Sequence, residues 1–135
     1  MKKIKEAALR NNTLFVEGMK SRFLPAYKKA KAMIEEGAIG EIVKIEADQC
    51  RKMPEGHILG GYMIDPEQGG MTLDSGCYCL TWLEDYTKGD IEAKKVRANF
   101  YKDVDAYSRT LFEINGIACV METGFDRNSP NAAVF

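Results

Sequence analysis

Asn115-Gly116 stands between two runs rich in apolar and β-branched residues, 107–114 and 117–124. A two-residue link in a hairpin needs positive φ at both positions, which asparagine and glycine tolerate best. The dipeptide therefore predicts a tight hairpin. A third run, 93–101, precedes it, and Asp103-Val104-Asp105 is read as the turn between them. The last third of the chain is committed to an antiparallel sheet. Residues 131–135 read as a strand that has only begun.

The first half reads differently. Residues 3–11 carry Ile4, Ala7, Ala8 and Leu9 on one side and end at Asn11-Asn12, a short helix that begins without a cap. Leu14-Phe15-Val16, within 13–19, reads as a buried strand. Residues 22–36 form the clearest helix, with Pro25 near its start and Gly37 as a left-handed stop. Ala26, Ala30, Met33 and Ile34 make its apolar face, with Tyr27 beside it. Residues 40–50 alternate, with Val43, Ile45 and Ala47 against Lys44, Glu46 and Asp48, as in a half-buried strand. A long irregular stretch, 51–68, follows, then a second helix over 73–88 ended by Gly89-Asp90. Tyr62-Met63-Ile64 and the glycine pairs beside it suggest a loop folded over something.

Helices first and strands last indicate α+β, an open and mostly antiparallel sheet with helices packed on one face. The late strands are apolar on both sides. Phe112 and Ile114 oppose Leu111, and Val120 opposes Cys119 and Met121. Such a sheet needs cover on its other face, and a second copy of the chain, a homo-oligomer, is the economical cover.

Composition narrows the function classes. The net charge of -1 argues against nucleic acid, and Glu35, Glu36 and Glu41 balance the lysine-rich face of the first long helix. No apolar run approaches the roughly 20 residues of a membrane span. Met1-Lys2-Lys3 is followed by Ile4-Lys5-Glu6 and not by the apolar core of a secretory leader. Cys50, Cys77, Cys79 and Cys119 form no CxxC pair and His57 is the single histidine, so no metal site is expected. Reduced thiols and a cytoplasmic location are the simplest expectation.

Asp74 and Tyr78 stand four residues apart behind Gly69-Gly70. On a helix that spacing places both on one face, one turn apart. Two readings stay open on the residues alone. The pair is a proton-transfer site, or Asp74 is a favourable charge in a first helical turn and Tyr78 a core residue. Arg22 divides similarly, between facing the same cleft and forming an ion pair at a helix start. His57, on the long loop, is a substrate contact or an ordinary loop residue. Trp82 and Tyr86 read as core or interface.

The succession Phe15-Val16-Glu17, Arg22-Phe23-Leu24-Pro25, Glu35-Glu36-Gly37-Ala38-Ile39-Gly40-Glu41-Ile42, Asp65-Pro66, Gly69-Gly70, Asp74-Ser75-Gly76-Cys77-Tyr78 and Asn115-Gly116 closely resembles the glucose–fructose oxidoreductase / inositol dehydrogenase family (Gfo/Idh/MocA). The resemblance runs from about Thr13 to the end. Many members have histidine where this chain has Tyr78, so it resembles the tyrosine-containing branch of glucose–fructose oxidoreductase and dihydrodiol dehydrogenase. Met71 stands where many members have a third glycine.

The resemblance implies a C-terminal α+β domain that binds substrate and mediates oligomerisation, normally preceded by a Rossmann domain. No G-x-G-x-x-G follows a strand here, and the family's Glu-Lys-Pro motif is absent. Residues 1–12 are then the tail of a connecting helix from a missing Rossmann domain. Residues 13–135 are the substrate-binding and oligomerisation domain, cut short at its end. The implied parent is a dehydrogenase using NAD or NADP on a sugar, polyol or related diol, and the isolated chain is expected to be inactive and to hold no cofactor-binding residues. Tyr78 would be the acid/base, with Asp74 orienting a substrate hydroxyl. A phenol of unperturbed pKa about 10 needs a nearby ammonium to work at neutral pH, and the family's lysine lies upstream of this chain. Arg22 and His57 are weaker substrate-binding candidates. The competing function is a non-catalytic assembly or binding module in which Asp74 and Tyr78 are relics.

Overall fold

The computed structural model describes residues 2–58 and 61–135; the side chains of His57 and Ile58 lie outside what is described. Five strands form one open sheet: β1 (Lys44–Cys50), β2 (Glu92–Tyr101), β3 (Val104–Ile114), β4 (Ile117–Gly124) and β5 (Ala133–Val134). Their order is β2-β3-β4-β1-β5. Neighbours are antiparallel except β1 and β4, which run parallel. The expected α+β class, open and mostly antiparallel, is the class the chain adopts.

The helices are α1 (Lys2–Arg10), α2 (Pro25–Glu35), the short α3 (Glu55–Ile58) and α4 (Met71–Thr87). Among the described residues, only α4 packs extensively on the sheet, across β1, β3 and β4. Its Cys79 and Leu83 join Ile45, Ala47, Ile114, Cys119 and Met121 in one core. Leu83, Ile45 and Ile114 are fully buried, and each contributes about 1.5–3 kcal/mol of burial free energy. The C-terminal Phe135 closes this core, its ring 4.8 Å from that of Tyr86 and 5.9 Å from that of Trp82.

The hairpin forms as expected. Asn115 and Gly116 have φ of 52° and 77°, and Ile114 pairs with Ile117. The preceding turn differs by a residue or two. Lys102 and Asp103 form it, with Lys102 at φ 52°, while Val104 already pairs with Tyr101 in β3. Val104 is buried at that position, and its packing decides the register over the turn preference of the two aspartates.

Three further expectations are corrected. Leu14, Phe15 and Val16 form no strand and are 84%, 50% and 66% exposed. An apolar run becomes a strand only beside a partner, and among the described residues no strand pairs with this one. Leu14 and Phe15 instead line, with Ala8 and Leu9 of α1, an open apolar groove of about 540 Å³. The first long helix starts later than expected. Lys20–Phe23 is a 3-10 turn and Leu24 is extended at ψ 139°, because the residue before a proline avoids the helical region. Its end at Gly37 is as expected: φ is 84°, and Ala38 N–H donates to the Met33 carbonyl at 3.0 Å. The buried face of α2 is narrower than the sequence implies, with Tyr27 alone buried and Ala26 and Met33 exposed. The reason is that α2 meets the side of α4, through Tyr27 against Trp82 at 4.0 Å, and not the sheet.

The sheet face away from α4 carries Leu111 paired with Val120, beside Arg109 paired with Glu122. Arg109 bonds Glu122 at 3.1 Å and reaches Glu46 at 3.5 Å, and Lys44 joins Glu46 at 3.0 Å. Val120 is only 7% exposed within a single chain. The chain's own side chains therefore supply part of the cover that the two-sided apolar pattern demanded. Among the described residues, no helix is long and apolar enough to cross a membrane.

Candidate active site

The start of α4 is assembled from three distant parts of the chain. β3 carries an extra residue: Asn99 pairs with Tyr107 but Phe100 pairs with Asp105, leaving Ala106 unmatched. A bulge of this kind re-aims the side chains before it. Asp105 is thereby turned onto the first turn of α4, where its Oδ2 accepts the amide and the hydroxyl of Thr72, both at 2.8 Å. It satisfies a free N–H that no residue of the helix's own flank caps. At the other end Asn115 Nδ2 donates to the carbonyls of Thr87 and Lys88, at 2.6 and 3.2 Å. One strand and the turn after it thus fasten both ends of α4.

Gly69 and Gly70 are required by contact. A Cβ on Gly69 would lie 2.5–2.7 Å from the carbonyl oxygens of Tyr62, Met63 and Asp65. A Cβ on Gly70, already at φ 90°, would lie 2.1 Å from Asp105 Oδ1. The pair lets the 3-10 turn Tyr62–Ile64 sit directly on the helix start, with Gly70 N–H donating to Met63 O at 2.8 Å. The loop expected to fold over something folds over α4. Met71, in the place of a third glycine, points into a small core with Ala106 and Phe125, packed also by Met63 and Ile64.

Asp74 and Tyr78 project from this fastened helix one turn apart, both half-buried. The Asp74 carboxylate accepts the phenol of Tyr62 at Oδ1 and the hydroxyl of Ser75 at Oδ2, the latter at 3.0 Å. The hydrogen bond to Asp74 pushes the Tyr62 phenol above its ordinary pKa. Tyr78 lines an open cleft of about 190 Å³ with Ser21, Gln49, Trp82 and Asn131. Within it the buried Ser21 hydroxyl has no hydrogen-bond partner among the described residues.

Arg22 is not brought to this pair. Its guanidinium bonds Glu84 at 2.7 Å and Asp85 at 2.8 Å, about 9–10 Å further along the helix axis than Tyr78. The hydrogen bond it donates to Glu84 raises its pKa. Tyr27 donates to the same Asp85 at 2.6 Å, and burial, with Asp85, raises its phenol. Arg22 thus ties the 3-10 turn and α2 to the second half of α4. His57 falls in α3, and its side chain lies outside the described residues.

Sequence reasoning missed Tyr62 as a partner of Asp74, although its loop and the glycine pair were singled out. It also missed Asp105, whose capping role has no local signal because cap and helix are 33 residues apart.

A glycine-led helix start binds phosphate through free N–H groups and open space above the glycine. Here the Asp105 carboxylate takes the Thr72 N–H and stands above Gly70.

An open mixed sheet under the long helix α4, whose Tyr78 lines a cleft, defines an α+β domain. The GFO/IDH/MocA C-terminal domain matches residues 27–134, and the chain belongs to that family. It is 32% identical over 76 residues to a trans-1,2-dihydrobenzene-1,2-diol dehydrogenase of Xenopus tropicalis, covering 53% of this chain and 21% of that protein. It is 30% identical over 93 residues to a D-xylose 1-dehydrogenase (NADP(+)) of Hypocrea jecorina, covering 61% and 23%. The chain therefore spans about a fifth of the length of these relatives. The first match agrees with the branch to which Tyr78 pointed. Among solved structures, the 3-ketoreductase KijD10 of Actinomadura kijaniata, in complex with NADP and TDP-benzene, superposes with a TM-score of 0.84 at 20% identity. That superposition covers 98% of this chain and 41% of KijD10. An NAD-binding protein of Listeria innocua gives a TM-score of 0.76 at 24% identity, covering 95% and 39%. Both share the fold.

Proposed function

We propose that this chain is the substrate-binding domain of a longer NAD(P)-dependent oxidoreductase acting on a sugar, polyol or related diol. The observation that carries the proposal is the Asp74–Tyr78 pair, held half-buried on one face of a helix fastened at both ends, in a family whose relatives are oxidoreductases. Asp74, an acceptor with lone pairs left over after Tyr62 and Ser75, binds and orients a substrate hydroxyl. Tyr78, at the cleft, takes or gives the hydroxyl proton. A nicotinamide cofactor supplies the hydride chemistry, and its binding residues belong to the part of the parent that precedes this chain. The apolar groove along α1, lined by Leu9, Leu14 and Phe15, supports a preceding domain seated there. Arg22, which is ion-paired, and His57 are secondary candidates for substrate contact. A second copy against the sheet face of Leu111 and Val120 completes the assembly.

The test is turnover of D-xylose and of trans-1,2-dihydrobenzene-1,2-diol by the full-length protein with NADP, alongside its Asp74→Asn variant. Loss of one charged hydrogen bond to substrate raises KM by about tenfold or more. An Asp74→Asn enzyme with unchanged kinetics on a substrate that the parent turns over contradicts the proposal.

A further inference from the structure

Tyr62 is 59% exposed, so its ring adds little to the core. Its neighbours Met63 and Ile64 do the anchoring, packed on the cluster of Met71, Ala106 and Phe125. The backbone of the turn is seated in the space left by Gly69 and bonded to Gly70. This mount holds the phenol over the first turns of α4, where it donates to Asp74 Oδ1. Ser75 holds Oδ2. A carboxylate on a flexible side chain must lose rotamer freedom before it can receive a ligand hydroxyl, and partners already in place remove that cost from binding. Two donors leave roughly two of the four lone-pair sites of Asp74 free.

We propose that Tyr62 is a positioning residue of the site, which fixes the Asp74 carboxylate for a substrate hydroxyl. The inference rests on the assignment of Asp74 as a substrate-binding group. It adds a residue from a different segment of the chain, the 3-10 turn after α3, to a pair read entirely from α4. Tyr62 acts through Asp74, so its removal weakens substrate binding and leaves the proton transfer at Tyr78 intact.

The test is a double-mutant cycle in the full-length protein, with D-xylose and trans-1,2-dihydrobenzene-1,2-diol as probes and NADP as cofactor. Tyr62→Phe keeps the ring and removes the donor. It is expected to raise KM about three- to tenfold and to leave kcat within about twofold, with an unchanged melting temperature. In an Asp74→Ala background, which leaves the phenol no acceptor at that position, the same change is expected to add nothing. An unchanged KM, a lowered KM, or an effect that persists in the Asp74→Ala background overturns the inference. If Asp74→Asn impairs binding and Tyr62→Phe does not, this inference falls and the proposed function stands. If Asp74→Asn has no effect, or the parent turns over neither probe, both fall.

Discussion

The carboxylate of Asp105 accepts both the amide and the hydroxyl of Thr72 at 2.8 Å, so a strand residue caps the helix that carries the candidate site. Removing such a cap costs about 1–2 kcal/mol. Asp105→Ala is expected to lower the unfolding free energy of this chain by that amount in urea titration, with an unchanged m-value. A loss below about 0.3 kcal/mol would show that solvent replaces the cap without penalty.

Gly70 and Gly37 separate crowding from conformation. Both have positive φ, but a Cβ on Gly70 meets Asp105 at 2.1 Å while no described residue lies within 4 Å of one on Gly37. Gly37→Ala is expected to cost about 1 kcal/mol, the left-handed penalty alone. Gly70→Ala is expected to cost 2 kcal/mol or more, roughly, since the Asp105 cap must also move. Equal losses in denaturant would mean that the Asp105 contact at Gly70 relaxes freely.

How far the chain could be read follows from where each signal lies. The hairpin at Asn115-Gly116 and the stop at Gly37 were legible because the responsible residues are local and chemically specific. Asp74 and Tyr78 were legible as a pair because helical spacing alone aligns them. Leu14-Phe15-Val16 misled because an apolar run does not reveal whether a partner strand exists. Tyr62 and Asp105 were out of reach as partners of α4. Their contacts depend on a glycine-permitted approach and a bulge at Ala106, and both are facts of tertiary packing.

Alkaline pH offers a further check. Burial pushes the Cys79 thiol up to about 12, while an unfolded cysteine titrates near pH 8.5. Its folded pKa is raised, so the stability it contributes is complete below the unfolded value and is lost as pH rises toward the folded one. The phenols of Tyr27, Tyr62 and Tyr86 are shifted in the same direction. The unfolding free energy is expected to fall between about pH 8.5 and 12, and less steeply in Cys79→Ala. An identical slope in that variant would remove Cys79 from the effect.

Assembly is checked by light scattering on the purified chain. A dimer supports a second copy on the sheet face of Leu111 and Val120, and Val120→Asp, if the chain still folds, is expected to dissociate it. A strictly monodisperse monomer across the micromolar range would remove the assembly part of the proposal.

The central claim is that Tyr78 handles the substrate proton, and kcat of the full-length Tyr78→Phe variant tests it most directly. Loss of a general acid/base lowers turnover by about 100-fold or more, with the fold intact by circular dichroism and KM little changed. A Tyr78→Phe enzyme with the turnover of the parent would contradict the account.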